Sequence, residues 1–219
     1  LTLKRVWELA RTQWGITLPP QSPFALVSLL KVNNERDITL SDEQLQKLIN
    51  EAGKIYIKSS RQKVIGKANW LPDMIMFAVA TAARFSEITG LLREDVDFSR
   101  RLATFRNTKN GDDRVIPLSN EALRILKKQP FGDKFFNVKS REAFKNYWNR
   151  ARAAAGLNDF RFHDLRSVAI RKMILSGMQT IEVARISGHK TLNVLHRRYS
   201  RIQPEDLLDK VNNVVVLQK

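Results

Sequence analysis

Apolar residues recur along this chain at two spacings. Leu3, Val6, Trp7 and Ala10 fall three and four residues apart, which predicts an amphipathic helix over 3–14. Pro19, Pro20 and Pro23, followed by the polar run 33–37, read as a linker with a domain boundary at about Asp37. Ser41 with Gln44 three residues on forms a capping-box signature, and the helix it opens runs to about Ala52 before Gly53. The segment 71–83, LPDMIMFAVATAA, is apolar nearly all round, so it predicts a buried central helix. Beyond Gly90 the period shortens. Residues 102–106 and 114–118 are strand-like runs around Asn110-Gly111, a hairpin-turn signal. From Ser119 the pattern is helical in pieces, over about 120–128, 140–155, 163–176, 180–187, 193–200 and 204–211. The tail 214–217 is short and apolar, fitting either an added strand or a frayed end. The fold class expected is therefore mixed α+β, mainly α-helical, with one small antiparallel β-sheet near the middle. Tyr147 falls in a helical, apolar stretch and reads as core, and Tyr56 sits in an alternating or exposed run.

Composition turns this outline towards a partner. Hydrophobic residues make up 43% of the 219 residues, enough for a core. Lys plus Arg number 38 against 22 Asp plus Glu, a net charge of +16. So large a surplus repels itself unless a polyanion is the usual partner, and nucleic acid is the commonest one. An anionic membrane surface fits less well, because no stretch approaches a spanning length and the basic residues are not gathered on one amphipathic segment. There are no cysteines, which excludes disulfides and thiolate metal sites and fits a reducing interior. The chain starts at Leu1, opens directly in a helical pattern and shows no signal peptide, so a preceding segment is expected to be missing.

The candidate chemistry lies in a set of residues in a fixed order. Arg84-Phe85-Ser86-Glu87 follows the buried helix. Lys109 precedes the hairpin turn, with Arg114 and Pro117 after it. His163 and Arg166, in HDLR, are three apart and share a helix face. His189 follows Ser187-Gly188, a helix stop, and Tyr199 comes ten residues later. Each taken alone has an ordinary structural reading: a charge at a helix end for Arg84, a solvated hairpin lysine for Lys109, a core aromatic for Tyr199. As an ordered set on a +16 chain they resemble the tyrosine recombinase or phage integrase family, over roughly Ile38 to Asp209. The resemblance implies a tyrosine-recombinase catalytic domain over 38–219. Residues 1–37 then resemble the end of the family's N-terminal core-binding, DNA-clamping domain, a remnant helix plus linker.

What the resemblance implies is transesterification at a DNA phosphodiester. Arg84, Arg166 and His189 would bind the phosphate, and Tyr199 would be the nucleophile. His163 would take the phenol proton, and Lys109 would protonate the leaving 5′ oxygen. Glu87, three residues from Arg84, is a candidate to orient its guanidinium, or else a surface carboxylate. No metal and no cofactor is implied. The implied partners are double-stranded DNA, a homo-oligomer (a tetramer) on it, and an accessory DNA-bending or excisionase protein, in a bacterial, cytoplasmic, nucleoid-associated setting on a phage or mobile element. Two departures from the family pattern stand out. The interval from His189 to Tyr199 is one residue longer than usual, which would rotate a helical tyrosine by about 100° unless the loop 190–193 absorbs it. Ser167 also stands where relatives often have a further His. Other readings of the same residues are a type IB topoisomerase-like DNA relaxer, a non-catalytic DNA-binding module of this fold, and a basic RNA-binding or ribosome-associated helical protein.

Overall fold

In the computed structural model, the structure describes residues 3–25, 27, 39–58, 64–106, 113–193, 195 and 208. The helices expected over 193–200 and 204–211, the Asn110-Gly111 turn and the tail 214–217 therefore lie wholly or mostly outside the described residues. The chain divides into two compact units, Leu1–Arg36 and Asp37–Lys219. The first holds α1 (Leu3–Thr12), and Trp7 packs edge-on against Phe24 with ring centroids 6.3 Å apart.

The second unit is built on helices whose starts the sequence marks. Helix α2 (Asp42–Gly53) opens with the expected capping box: Gln44 N donates to Ser41 Oγ at 3.2 Å, and Ser41 N donates to Gln44 Oε1 at 3.0 Å. Strands β1 (Tyr56–Lys58) and β2 (Val64–Lys67) pair antiparallel. Helix α3 (Trp70–Thr81) is the central one, with Leu71, Met74, Ile75, Phe77 and Ala78 buried. It packs against α2, α5 (Asn120–Lys127) and α7 (Asp164–Leu175). Buried Asp73 ties its first turn to the end of α5, accepting from Lys128 Nζ and Gln129 Nε2, both at 2.8 Å. Helix α4 (Phe85–Gly90) follows at once. Strands β3 (Val96–Asp97), β4 (Leu102–Phe105) and β5 (Arg114–Pro117) then form a three-stranded antiparallel sheet in chain order. Serine hydroxyls cap α5 and α6 (Arg141–Ala154): Ala122 N donates to Ser119 Oγ and Ala143 N to Ser140 Oγ. Helix α8 (Thr180–Ser187) closes on Gly188 at φ 73°.

One apolar cluster runs through α2, α3, β4, β5, α5, α6 and α7, and a smaller one joins Ala82, Ala169, Ile170, Val183, Ala184 and Leu195. Among the described residues no helix is long and apolar enough to cross a membrane. The expected fold class thus holds, with three corrections. The core helix ends at Thr81 rather than Ala83, because Ala82 turns left-handed at φ 53°. Residues 85–90 form a separate helix, and the hairpin of β1 and β2 was not anticipated.

Candidate active site

The turn after α3 organises the site. Ala82 adopts a left-handed conformation that costs a non-glycine residue about 1–2 kcal/mol. Thr81 Oγ1 spans the break, donating to Phe77 O at 2.7 Å and accepting from Ala83 N at 3.3 Å. The break frees Ala82 O, which accepts from Arg166 Nη1 at 2.8 Å. It also delivers Arg84 as the N-cap of α4, in extended backbone at φ −75°, ψ 156°. Arg84 is therefore not a charge closing the core helix; it opens the next one.

Glu87 is the anchor of this corner. It is 6% exposed and stands between two guanidinium groups. Its Oε1 accepts from Arg84 Nη1 at 2.7 Å. Its Oε2 accepts from Arg84 N at 2.7 Å and from Arg114 Nη2 at 2.6 Å. Arg84 Nη2 also donates to Gly188 O at 3.3 Å, while Arg114 Nη1 donates to Ile186 O. These two contacts join α4 and β5 to the end of α8. Gly188 is required there twice over: its φ is 73°, and a Cβ on it would meet Arg114 Cδ at 3.0 Å. Burial pulls the Arg114 guanidinium below its ordinary pKa, with nearby Arg84 acting in the same sense and Glu87 opposing both.

Arg166 enters from the first turn of α7 and is 4% exposed. Its Nη2 lies 3.5 Å from His189 Nδ1, and Ser187 Oγ lies 2.7 Å from the same nitrogen. His189 is half-buried, held by the loop that closes α8 through Gly188 N and His189 N, both donating to Ala184 O. His163 is the N-cap of α7, exposed, with its carbonyl accepting from Arg166 N at 3.2 Å. An aromatic cluster fixes the approaches to this corner. Phe85, next to Arg84, and Phe162, next to His163, are 5.7 Å apart and both pack on Phe144, at 4.4 and 5.0 Å.

The structure thus brings together Arg84, Glu87, Arg166 and His189, and sets His163 one turn from Arg166. Lys109 and Tyr199 lie outside the described residues. Arg114 and Ser187 belong to the site although the sequence reading did not name them as site residues. A signal for Arg114 was present: strand alternation puts it on the same side as buried Ile116 and opposite exposed Val115. Among the described residues, Arg84 and Arg114 share the one carboxylate of Glu87, while Arg166 is anchored on the Ala82 carbonyl. This corner carries a positive excess suited to an anionic group such as a phosphate.

The phage integrase family model matches residues 39–206. The chain belongs to that family. It is accordingly a member of the tyrosine recombinases, and its catalytic fold is the one solved for them. The shufflon-specific DNA recombinase of Escherichia coli is 31% identical over 214 residues, covering 96% of this chain and 51% of that protein. The chain spans about half the length of that curated relative. The catalytic domain of bacteriophage HP1 integrase superposes with a TM-score of 0.60 at 22% identity, covering 82% of this chain and 96% of that one. The Tn1549 transposon integrase, solved in complex with circular intermediate DNA, superposes with a TM-score of 0.62 at 17% identity, covering 83% of this chain and 67% of that one. At those identities the structural likeness establishes the fold alone.

Proposed function

We propose that this chain is the catalytic domain of a site-specific DNA recombinase that cuts and rejoins DNA through a covalent 3′-phosphotyrosine. The observation that carries the reading is the convergence of Arg84, Arg166 and His189 around one corner, with Glu87 fixing Arg84. In this scheme Tyr199 Oη attacks the scissile phosphorus and the bond to the 5′ oxygen breaks. His163 takes the phenol proton, and Lys109 protonates the departing 5′ oxygen. Reversal by the 5′ hydroxyl of a second strand restores the phosphodiester, so no nucleotide is consumed. The extra charge on the non-bridging oxygens falls on Arg84, Arg166 and His189. Each preorganised donor of this kind is worth about 2–4 kcal/mol in the transition state. Charge neutralisation by guanidinium groups takes the part that a divalent cation plays in other phosphoryl transfers, so the scheme needs no metal.

The partner is double-stranded DNA, in line with the +16 net charge and with the DNA complex of the Tn1549 integrase. Exchange between two duplexes calls for a homotetramer, with an accessory DNA-bending or excisionase protein setting direction. The unit Leu1–Arg36 is read as the end of the DNA-clamping domain and its linker. The test uses the full-length protein and duplexes selected for binding from a randomised pool, with nicks tiled across the bound site. The expected product is a protein–DNA adduct that survives sodium dodecyl sulfate and is absent with Tyr199→Phe. Absence of any adduct from the wild type leaves a DNA-binding module. Relaxation of plasmids lacking the selected site points to a topoisomerase.

A further inference from the structure

We infer that Arg114 is a positioning residue of the recombination site: it sets the aim of Arg84 through Glu87 and does not touch the DNA. The inference rests on the recombinase reading above. Arg114 starts β5 opposite Phe105 and lays its guanidinium over that ring, 5.1 Å from the centroid. Its side chain is 9% exposed. Both terminal nitrogens are engaged, Nη2 on Glu87 and Nη1 on Ile186 O, and its buried Nε has no hydrogen-bond partner among the described residues. As a stabilising element this is a poor choice. A desolvated cation with an unmade hydrogen bond, next to a second arginine, is commonly improved on by an apolar side chain of similar size. What an apolar residue would not do is divide Glu87 between two partners.

That division decides where Arg84 points. Glu87 Oε2 is held by Arg114 and by the Arg84 backbone N–H, so the Arg84 side chain reaches only Oε1. Its Nη2 turns instead to Gly188 O. These bonds use two of its five N–H donors among the described residues, leaving three for a phosphate. Without Arg114, Oε2 becomes open to the Arg84 fork, and the two-pronged arginine–carboxylate pair is the preferred geometry. Arg84 would then turn its donors towards Glu87 rather than the substrate. The same side chain fills the space above Gly188, and so also fixes the turn that presents His189.

The test is Arg114→Lys in the full-length protein, with Arg114→Met in its place if the lysine variant does not fold by circular dichroism. Lysine keeps the charge, but a single ammonium cannot reproduce the planar fork to Glu87 and Ile186 O. Single-turnover adduct formation at saturating protein is expected to fall by about 30-fold, with DNA affinity changed by less than about threefold. The deciding readout is a substrate with a neutral methylphosphonate at the scissile position, which removes one of the charges that Arg84 answers. The deficit should there shrink to about threefold or less, because what the variant lacks is charge stabilisation. A general loss of structure would slow both substrates alike, and that result overturns the inference. So does a loss of affinity with cleavage of bound DNA unchanged, which would make Arg114 a DNA contact. Normal cleavage by Arg114→Lys overturns this inference only, whereas no adduct from the wild type overturns the recombinase reading and this inference with it.

Discussion

Glu87 is the residue on which the site's internal order depends. One carboxylate, 6% exposed, compensates two guanidinium groups that are themselves largely buried. Replacing it by Gln keeps the shape and removes the charge, leaving two like charges facing each other in a poorly solvated corner. We expect Glu87→Gln to lower unfolding free energy by about 3 kcal/mol, read from the urea midpoint at constant m-value, since removing one member of a buried pair exposes the cost of the other. Gly188→Ala should act through geometry alone. It places a Cβ 3.0 Å from Arg114 Cδ in a residue at φ 73°, so adduct formation should drop by more than about tenfold while DNA binding persists. Arg166→Ala removes a donor anchored on the Ala82 carbonyl, and cleavage should suffer far more than affinity; equal losses would make Arg166 a binding residue. At this scale the sequence was legible where residue type and local spacing carry the chemistry. Arg84, Glu87, Arg166 and His189 sit beside helix boundaries that periodicity and glycine mark. Arg114 was quoted with the hairpin but given no role of its own. Its partners, Glu87 and Ile186, are 27 and 72 positions away, and no local pattern links them.

At the level of elements, helices were read well and short strands poorly. Helices α2, α5 and α6 start at serine caps that are visible in the sequence, and α3 is recognised by its lack of a polar face. The β1–β2 pair has three and four residues, with a glycine in one strand and an irregular register, so its alternation is too short to detect. Helix α4 was missed because the left-handed turn at Ala82 falls on a residue that disfavours it, and a tertiary bond from Arg166 together with the local Thr81 hydroxyl holds it there. The turn between β3 and β4 offers a test of local chemistry. Asp97 Oδ1 accepts from Arg100 N at 2.8 Å, Ser99 Oγ at 2.7 Å and Ser99 N at 2.9 Å. The Arg100 N–H, then the Ser99 hydroxyl, hold its carboxyl below the ordinary aspartate pKa. A depressed carboxyl stabilises the fold above its unfolded-state pKa, near 4, and that contribution fades as pH falls through the lower folded-state value. Asp97→Asn should therefore be less stable than the wild type at neutral pH, and the gap should close in acid. Urea midpoints for the two proteins measured down the acid limb would converge; parallel curves would mean that the charged form of Asp97 contributes nothing to the turn.

For the molecule as a whole, the +16 charge and the buried arginines carry different tasks. In the proposed recombinase, exposed lysines and arginines would meet DNA by displacing its condensed counterions, so their contribution would fall steeply with salt. Arg84, Arg114 and Arg166 lie in a corner assembled by protein bonds, with side chains or whole residues no more than 18% exposed, where mobile ions screen far less. Affinity and rate should therefore separate. Raising monovalent salt from about 0.05 M to about 0.2 M should weaken DNA binding by about 10³-fold if six or more phosphates are neutralised. The first-order rate of adduct formation within the bound complex, taken at saturating protein at each salt, should change by less than about threefold. Filter binding and single-turnover cleavage on the same duplex supply the two numbers. If the rate falls in step with affinity, the cations that neutralise the reacting phosphate lie among the screened surface residues, and the buried arginine corner is scaffold. If the rate holds, the basic surface brings DNA to the protein while the corner around Glu87 sets the speed of the reaction, and changes in the surface lysines should shift occupancy without slowing the chemistry.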